Sequence, residues 1–248
     1  MQVCRRRSGF VRNHLQPGQI PFDDGLSEIQ GEHQGLSRSI TLSRTGDSRI
    51  EVKKSIFIGK SFHISSPEEA AEFLAAERKK YPDARHICYA WVTGGENARQ
   101  KSSDDGEPQG TAGQPLMELL TSNGFTDTLI CVTRYFGGTL LGTGGLRRAY
   151  SDSGRQALEA GCPVTLIPAL KWRNNCSYPA FEMLSRKAGN SGWTIENIEY
   201  GQDVAFDIIV PEDAENEVIR YCLDLTGGEL KLEDPEKLLT KGDSVDIS

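Results

Sequence analysis

Apolar and polar positions divide this chain into three stretches. Residues 1 to about 40 mix Gly, Gln, Arg and Asp without a sustained apolar period. A segment with no recurring apolar face cannot offset the entropy of ordering it, so 1–40 reads as a disordered tail or a mis-assigned start. A transit peptide is the weaker alternative, because Asp23, Asp24, Glu28 and Glu32 do not suit one. Order is expected from about Arg49. The run I-E-V-K-K-S-I-F-I-G (50–59) reads as a strand. Ser66 then opens a helix, with Pro67 at its first position and Glu69 placed for a capping box; Ala70, Phe73, Leu74 and Tyr81 form its inward face. I-C-Y-A-W-V-T (87–93) and L-I-C-V-T-R-Y-F (129–136) are buried strands by their β-branched and aromatic content. Between them lie a loop from Gly94 to Gly110 and a short helix, Ala112 to Ser122, capped by Thr111. Leu146, Ala149, Tyr150, Ser153 and Ala157 recur at helical spacing, and Gly161 ends that helix.

The last third has a complete pattern of its own. V-T-L-I-P-A-L-K-W (164–172) is a strand, and Pro179 to Ala188 a helix closed by Gly189. T-I-E-N-I-E-Y and V-A-F-D-I-I-V are two strands joined across Gly201; Glu212 to Leu225 is a helix, and E-L-K-L (229–232) a last strand. The order β-α-β-β-α-β is that of a ferredoxin-like split βαβ sandwich. The fold class expected is therefore α+β, two two-layer sandwich domains spanning 41–162 and 163–248, behind the extension 1–40.

Composition narrows the functions. The chain has 248 residues and a net charge of −7, but residues 39–162 carry 15 basic and 15 acidic side chains while residues 163–248 carry 8 and 16. A uniformly basic nucleic-acid binder is excluded, and any phosphate contact must use a local patch on the first domain. No apolar run approaches the roughly 20 residues of a spanning helix, so no membrane partner is expected. The six cysteines lack a C-x-x-C pair, which suggests neither a zinc site nor a disulfide framework and fits the reducing cytoplasm.

The chemistry concentrates between Ser103 and Tyr150. Asp104, Asp105 and Glu107 sit in a turn between strand and helix. Carboxylates this close favour a cation, a cationic partner or raised pKa values; the bland alternative is a solvated turn whose Asp caps the next helix. No H-x-x-x-H or similar ligand set accompanies them, so no metal and no catalytic residue is assigned. Thr111 and Gly113, and the loop carrying Gly137, Gly138, Gly144 and Gly145, place backbone N–H groups at helix starts, a geometry that binds phosphate. Arg134, Arg147 and Arg148 are near enough in sequence to complete an anion site. The second loop matches neither a Walker A nor a Rossmann pattern, and turn formation is the alternative for its glycines. His86 reads as a hydrogen-bonded core residue and Cys88 as packing.

Taken whole, S-D-D-G-E-P-Q-G-T-A-G-Q-P, V-T-R-Y-F-G-G-T-L-L-G-T-G-G-L-R-R-A-Y, K-K-S-I-F-I-G and H-I-C-Y-A resemble the signature of the IMPACT/YigZ family over about residues 44 to 241. The resemblance implies a first domain with the fold shared by ribonuclease P protein and a ribosomal-protein domain. It implies a second, ferredoxin-like domain similar to the last domain of elongation factor G, the two-domain bacterial layout of the family. In eukaryotic relatives the family's role is control of translation under amino-acid starvation. Two departures stand out: the long N-terminal segment, and Arg147-Arg148 where relatives usually show Val-Arg. The expected function is a non-catalytic factor linked to translation that binds structured RNA, the ribosome or a translation-factor partner through the 103–148 face, without a cofactor. The alternative is an enzyme acting on a phosphorylated small molecule or nucleotide, with Mg²⁺ at Asp104, Asp105 or Glu107. The sequence assigns no oligomeric state.

Overall fold

A computed structural model of the chain describes residues 27–28, 39–94 and 98–247; the expectation for 1–40 falls mostly outside them. The chain forms two compact units, one running up to Thr165 and rejoined from Asp243, the other Leu166–Gly242. In the first unit the elements are β1 (Ser27–Glu28), β2 (Ile40–Leu42), β3 (Gly46–Val52), β4 (Ser55–His63), α1 (Pro67–Lys80), β5 (His86–Thr93), β6 (Arg99–Ser103), α2 (Gly113–Ser122), β7 (Thr128–Tyr135) and α3 (Gly142–Ala160). Its sheet has the order β1-β6-β5-β7-β4-β3.

Alternation along the central strands explains the layers. Cys88, Ala90, Ile130 and Val132 face the cluster beneath α2 and α3, whereas Ile87, Trp91, Leu129 and Cys131 face the cluster with Ala70, Phe73 and Leu74 of α1. Both faces of the sheet are thus covered, α1 adding a layer that is not evident from the order of elements. Small polar residues bring α3 close to its strands: Ser61 Oγ donates to the Ala157 carbonyl and Ser48 Oγ to that of Ser153, both at 2.8 Å. One turn towards the helix start, Tyr150 meets Phe57 edge to face, with ring centroids 5.2 Å apart.

Several boundaries differ from the sequence expectation. The segment 50–59 is not one strand but a hairpin, with Val52 paired to Ser55 across Lys53-Lys54. Both lysines have positive φ, 46° and 67°, the conformation of a type I′ turn that is normally signalled by Asn-Gly. Ordered backbone precedes Arg49: Ile40–Leu42 is a buried strand paired with Pro163–Thr165, too short to show a period. Part of the supposed loop 94–110 is strand β6, whose polar R-Q-K-S-S has no apolar side. On α1 the Ser66 hydroxyl accepts from the Glu69 N–H as expected, but Glu69 answers to the N–H of Ser65.

The second unit holds most of β8 (Pro163–Cys176), then α4 (Tyr178–Ser191), β9 (Thr194–Tyr200), β10 (Val204–Pro211), a single 3₁₀ turn at Glu212–Ala214, α5 (Glu215–Thr226) and most of β11 (Glu236–Ser244). The order β11-β8-β10-β9 is that of the split βαβ motif. The helix α4 runs past Gly189 to a left-handed cap at Gly192. The last strand is β11 and not E-L-K-L; Leu230 and Leu232 of that run are instead buried in the core as irregular chain.

On the strand face of this unit, Asp207 accepts from Asn197 Nδ2 at 2.7 Å and pairs with Lys171 and Arg173, each at 3.2 Å. Burial pushes its carboxyl up, but those three partners outweigh burial and hold it below the ordinary value of 3.8. A depressed folded pKa contributes stability above the unfolded pKa that is lost as pH falls through the folded one. Asp207→Asn is therefore expected to melt lower than the wild type at neutral pH. The gap should close on acidification below about pH 4, the unfolded carboxyl's range, in thermal melts followed by circular dichroism. A gap independent of pH would remove the charge from the explanation.

Candidate functional site

The turn after β6 has little freedom, because each carboxylate in it is already engaged. Asp104 caps α2 from a distance: Oδ1 accepts from the N–H groups of Ala112 (2.9 Å) and Gly113 (2.8 Å), and Oδ2 from that of Gly110 (2.8 Å). A carboxylate on a helix N-terminus satisfies amides that lack helical partners and meets the positive end of the dipole. Asp105 accepts from the Ile87 N–H at 2.7 Å and from Arg78 at 2.5 Å. Its own carbonyl accepts from His86 Nδ1 at 2.7 Å. Glu107 turns inward, with its side chain 3% exposed; Oε1 receives Arg134 Nη1 at 2.5 Å and the Tyr150 hydroxyl at 2.9 Å.

Around this pair the core becomes polar. The Cys88 thiol lies 3.0 Å from the Asp104 carbonyl and 3.3 Å from the Tyr150 oxygen, to which it donates. Burial pushes both the Cys88 thiol and the Tyr150 hydroxyl well above their ordinary values, so neither is a ready nucleophile or base. The Arg134 guanidinium sits between the rings of Phe57 and Phe136, 5.5 and 5.6 Å from their centroids. Its Nε is buried without a hydrogen-bond partner.

These contacts correct several sequence expectations. The amides at Thr111 and Gly113 are not bare: Asp104 holds the Gly113 N–H, and the Thr111 N–H and Oγ1 both donate to the Pro108 carbonyl. Gly113 is small for a second reason, since a Cβ there would lie 2.8 Å from the backbone of Ser103. Arg134 is not an exposed anion ligand; it neutralises Glu107. Arg147 donates to the Gly110 carbonyl at 2.6 Å and pairs with Glu118 at 3.1 Å. The three carboxylates point to different partners, and among the described residues no group of three or more His, Cys, Asp or Glu is placed to hold a metal ion. The three carboxylates do not converge on one Mg²⁺ position of the kind that the alternative enzymatic reading invokes. His86 is hydrogen-bonded as the sequence suggests, though only half-buried, and Cys88, read as packing, is buried and also hydrogen-bonded.

What stays open is the second glycine loop. Gly137 lies against the β3–β4 turn, where a Cβ would come 2.0 Å from the Lys54 carbonyl carbon, and its N–H donates to Ser55 Oγ at 3.1 Å. Gly138 has φ +82° with open space about it, and the first turn of α3, with Gly144 and Gly145, has no side-chain cap. Arg148 is exposed and carries no ion pair among the described residues. That Lys53 and Lys54 join this end of the unit is hard to read from sequence, because Lys54 lies 83 positions before Gly137 in the chain. The pattern -K-K-S- before an apolar run is the only local trace of the turn.

Comparison with known proteins follows the same division. The Impact N-terminal domain model matches residues 53–158, and a domain of unknown function, DUF1949, matches 175–229. The chain is 34% identical over 201 residues to the IMPACT family member YvyE of Bacillus subtilis, covering 81% of this chain and 93% of that protein. With the IMPACT family member YigZ of Escherichia coli, identity is 36% over 184 residues, covering 73% and 90%. A crystal structure described as that of an hypothetical protein superposes with a TM-score of 0.51 at 31% identity, covering 82% of this chain and 97% of that one.

Proposed function

Because this chain belongs to the IMPACT family, we propose that it is a non-catalytic factor linked to translation, engaging structured RNA, the ribosome or a translation-factor partner through the 103–148 face of its first unit. One observation carries the reading furthest. Each carboxylate of the acidic turn is engaged from within, whereas Arg148 has no ion pair among the described residues and the first turn of α3 has no side-chain cap. A binding face needs exposed, geometrically fixed groups, and the buried Glu107–Arg134–Tyr150 network supplies a rigid base for them. The balance of charge agrees, since the acidic excess belongs to residues 163–248 and leaves the first unit free to present local cations. Among the described residues no helix is long and apolar enough to cross a membrane.

Co-sedimentation with ribosomes in a salt series tests the reading. Wild-type protein is expected to pellet with ribosomes at low salt and to be released as salt rises. Arg148→Glu should reduce the bound fraction several-fold, because a like charge then faces phosphate, while stability stays within about 0.5 kcal/mol, as for most surface changes. No association of the wild type with ribosomes, ribosomal RNA or purified translation factors would defeat the proposal.

A further inference from the structure

Building on the translation-linked reading, we infer that the tip of the first unit binds single-stranded RNA, through Lys53 and Lys54 on the β3–β4 turn and Phe136 and Leu140 on the glycine loop. Three features converge there. First, the geometry gathers residues that are remote in sequence. Ser153 sits at the level of Ser48 and Gly59, and Tyr150 at that of Phe57. A helical turn rises about 5.4 Å and two strand residues about 6.6 Å, so Leu146 reaches the level of Val52 and Ser55, and Gly142 that of the lysine turn. The loop from Phe136 closes the same end through the contact of Gly137 with Lys54.

Second, the cations are unspent. Lys53 and Lys54 are exposed, with no side-chain ion pair or hydrogen bond among the described residues. Third, the apolar groups beside them are displayed rather than packed: Phe136 is 56% exposed and Leu140 84%. The Arg134 guanidinium backs one face of the Phe136 ring, which fixes the ring while its other side stays available. Cations that follow a phosphate backbone beside an aromatic platform for a base are the ordinary means of holding a single strand. An acidic protein would also satisfy the lysines. However, a stable protein interface buries about 800 Å² on each partner around a packed apolar centre, and two isolated side chains on a glycine loop do not provide one.

Fluorescence anisotropy of the full chain with a labelled mixed-sequence oligoribonucleotide of about ten nucleotides tests the site. Wild-type protein is expected to bind at low salt. Lys53→Asn with Lys54→Gly removes both charges yet supplies the residues that a type I′ turn favours, so the hairpin persists. This variant should flatten the slope of log affinity against log salt by about 1.4, at about 0.7 per phosphate contact on a single strand. Phe136→Ala should cost on the order of tenfold in affinity at every salt concentration and leave the slope unchanged. The inference is overturned if the wild type does not bind the oligonucleotide, if both variants bind it like the wild type, or if polyglutamate displaces it equally well with no dependence on Phe136. Ribosome co-sedimentation separates this inference from the broader reading. Variants that lose the oligonucleotide and keep the ribosome show the RNA site and leave another contact to hold the ribosome. A wild type that pellets with ribosomes but ignores the oligonucleotide overturns the inference alone.

Discussion

Arg134→Ala is expected to destabilise the first unit by about 3–5 kcal/mol, the usual cost of leaving one member of a buried ion pair without its partner. Arg134 and Glu107 are 8% and 3% exposed at their side chains and meet at 2.5 Å. Removing the guanidinium leaves the Tyr150 hydroxyl as the near hydrogen bond to Glu107 Oε1. It also removes the cation held between Phe57 and Phe136. Urea denaturation followed by tryptophan fluorescence would measure the loss, and Arg148→Ala is the control, expected within about 0.5 kcal/mol of wild type. A double variant, Arg134→Met with Glu107→Leu, should recover much of the loss, since apolar replacement of a buried pair is often neutral or better. If Arg134→Ala folds as stably as wild type while the control does not, the assignment of the two arginines is reversed.

That contrast between neighbouring arginines marks how far the sequence is legible. Periodicity identifies the helix with Leu146, Ala149, Tyr150, Ser153 and Ala157 because its buried face repeats every three or four residues. The central strands are equally plain, being apolar on both faces. Elements whose stability comes from elsewhere leave no such trace. The strand Arg99–Ser103 is polar and is defined by its pairing with β5. The lysine turn takes a conformation that its residues do not announce. Leu230 and Leu232 are buried by position in the core and not by strand pairing, so an apolar alternation there points to a strand that is not present.

The candidate site follows the same logic. Sequence locates the glycine loops and the charged residues, since such chemistry exceeds what turns alone require. It does not tell which charges neutralise one another. Asp104, Asp105 and Glu107 are neighbours in sequence, yet their partners are the start of α2, the start of β5 together with α1, and the interior beneath α3. These pairings depend on the sheet order β6-β5-β7, which no local pattern encodes. The position most revised is Arg134, whose value as an anion ligand disappears once its strand places it on the buried side with Val132 and Ile130.

Asp104→Ala should be nearly as damaging as the loss of Arg134, at about 3 kcal/mol. Hydrogen bonds to a charged group contribute about 1.5–3 kcal/mol each, and Asp104 accepts three. The total falls short of their sum because water can reach some of the released amides. The start of α2 has no substitute cap: Ala112 occupies the N-cap position without a side-chain hydrogen bond, and the first turn of the helix has no acidic residue. Asp104→Asn keeps one acceptor oxygen but removes the charge that meets the helix dipole, so an intermediate loss is expected. Hydrogen exchange gives the sharper reading, because the effect should concentrate in the amides of Gly110, Ala112 and Gly113 before it spreads into α2. Added phosphate or sulfate supplies a second test. If the freed amides form the anion cradle that their position suggests, either anion should restore part of the lost stability in Asp104→Ala and have little effect at this point in wild type, where the carboxylate already fills the place. Equal stabilisation of both proteins would mean that the anion acts elsewhere, and no loss of stability in Asp104→Ala would mean that α2 starts without its cap.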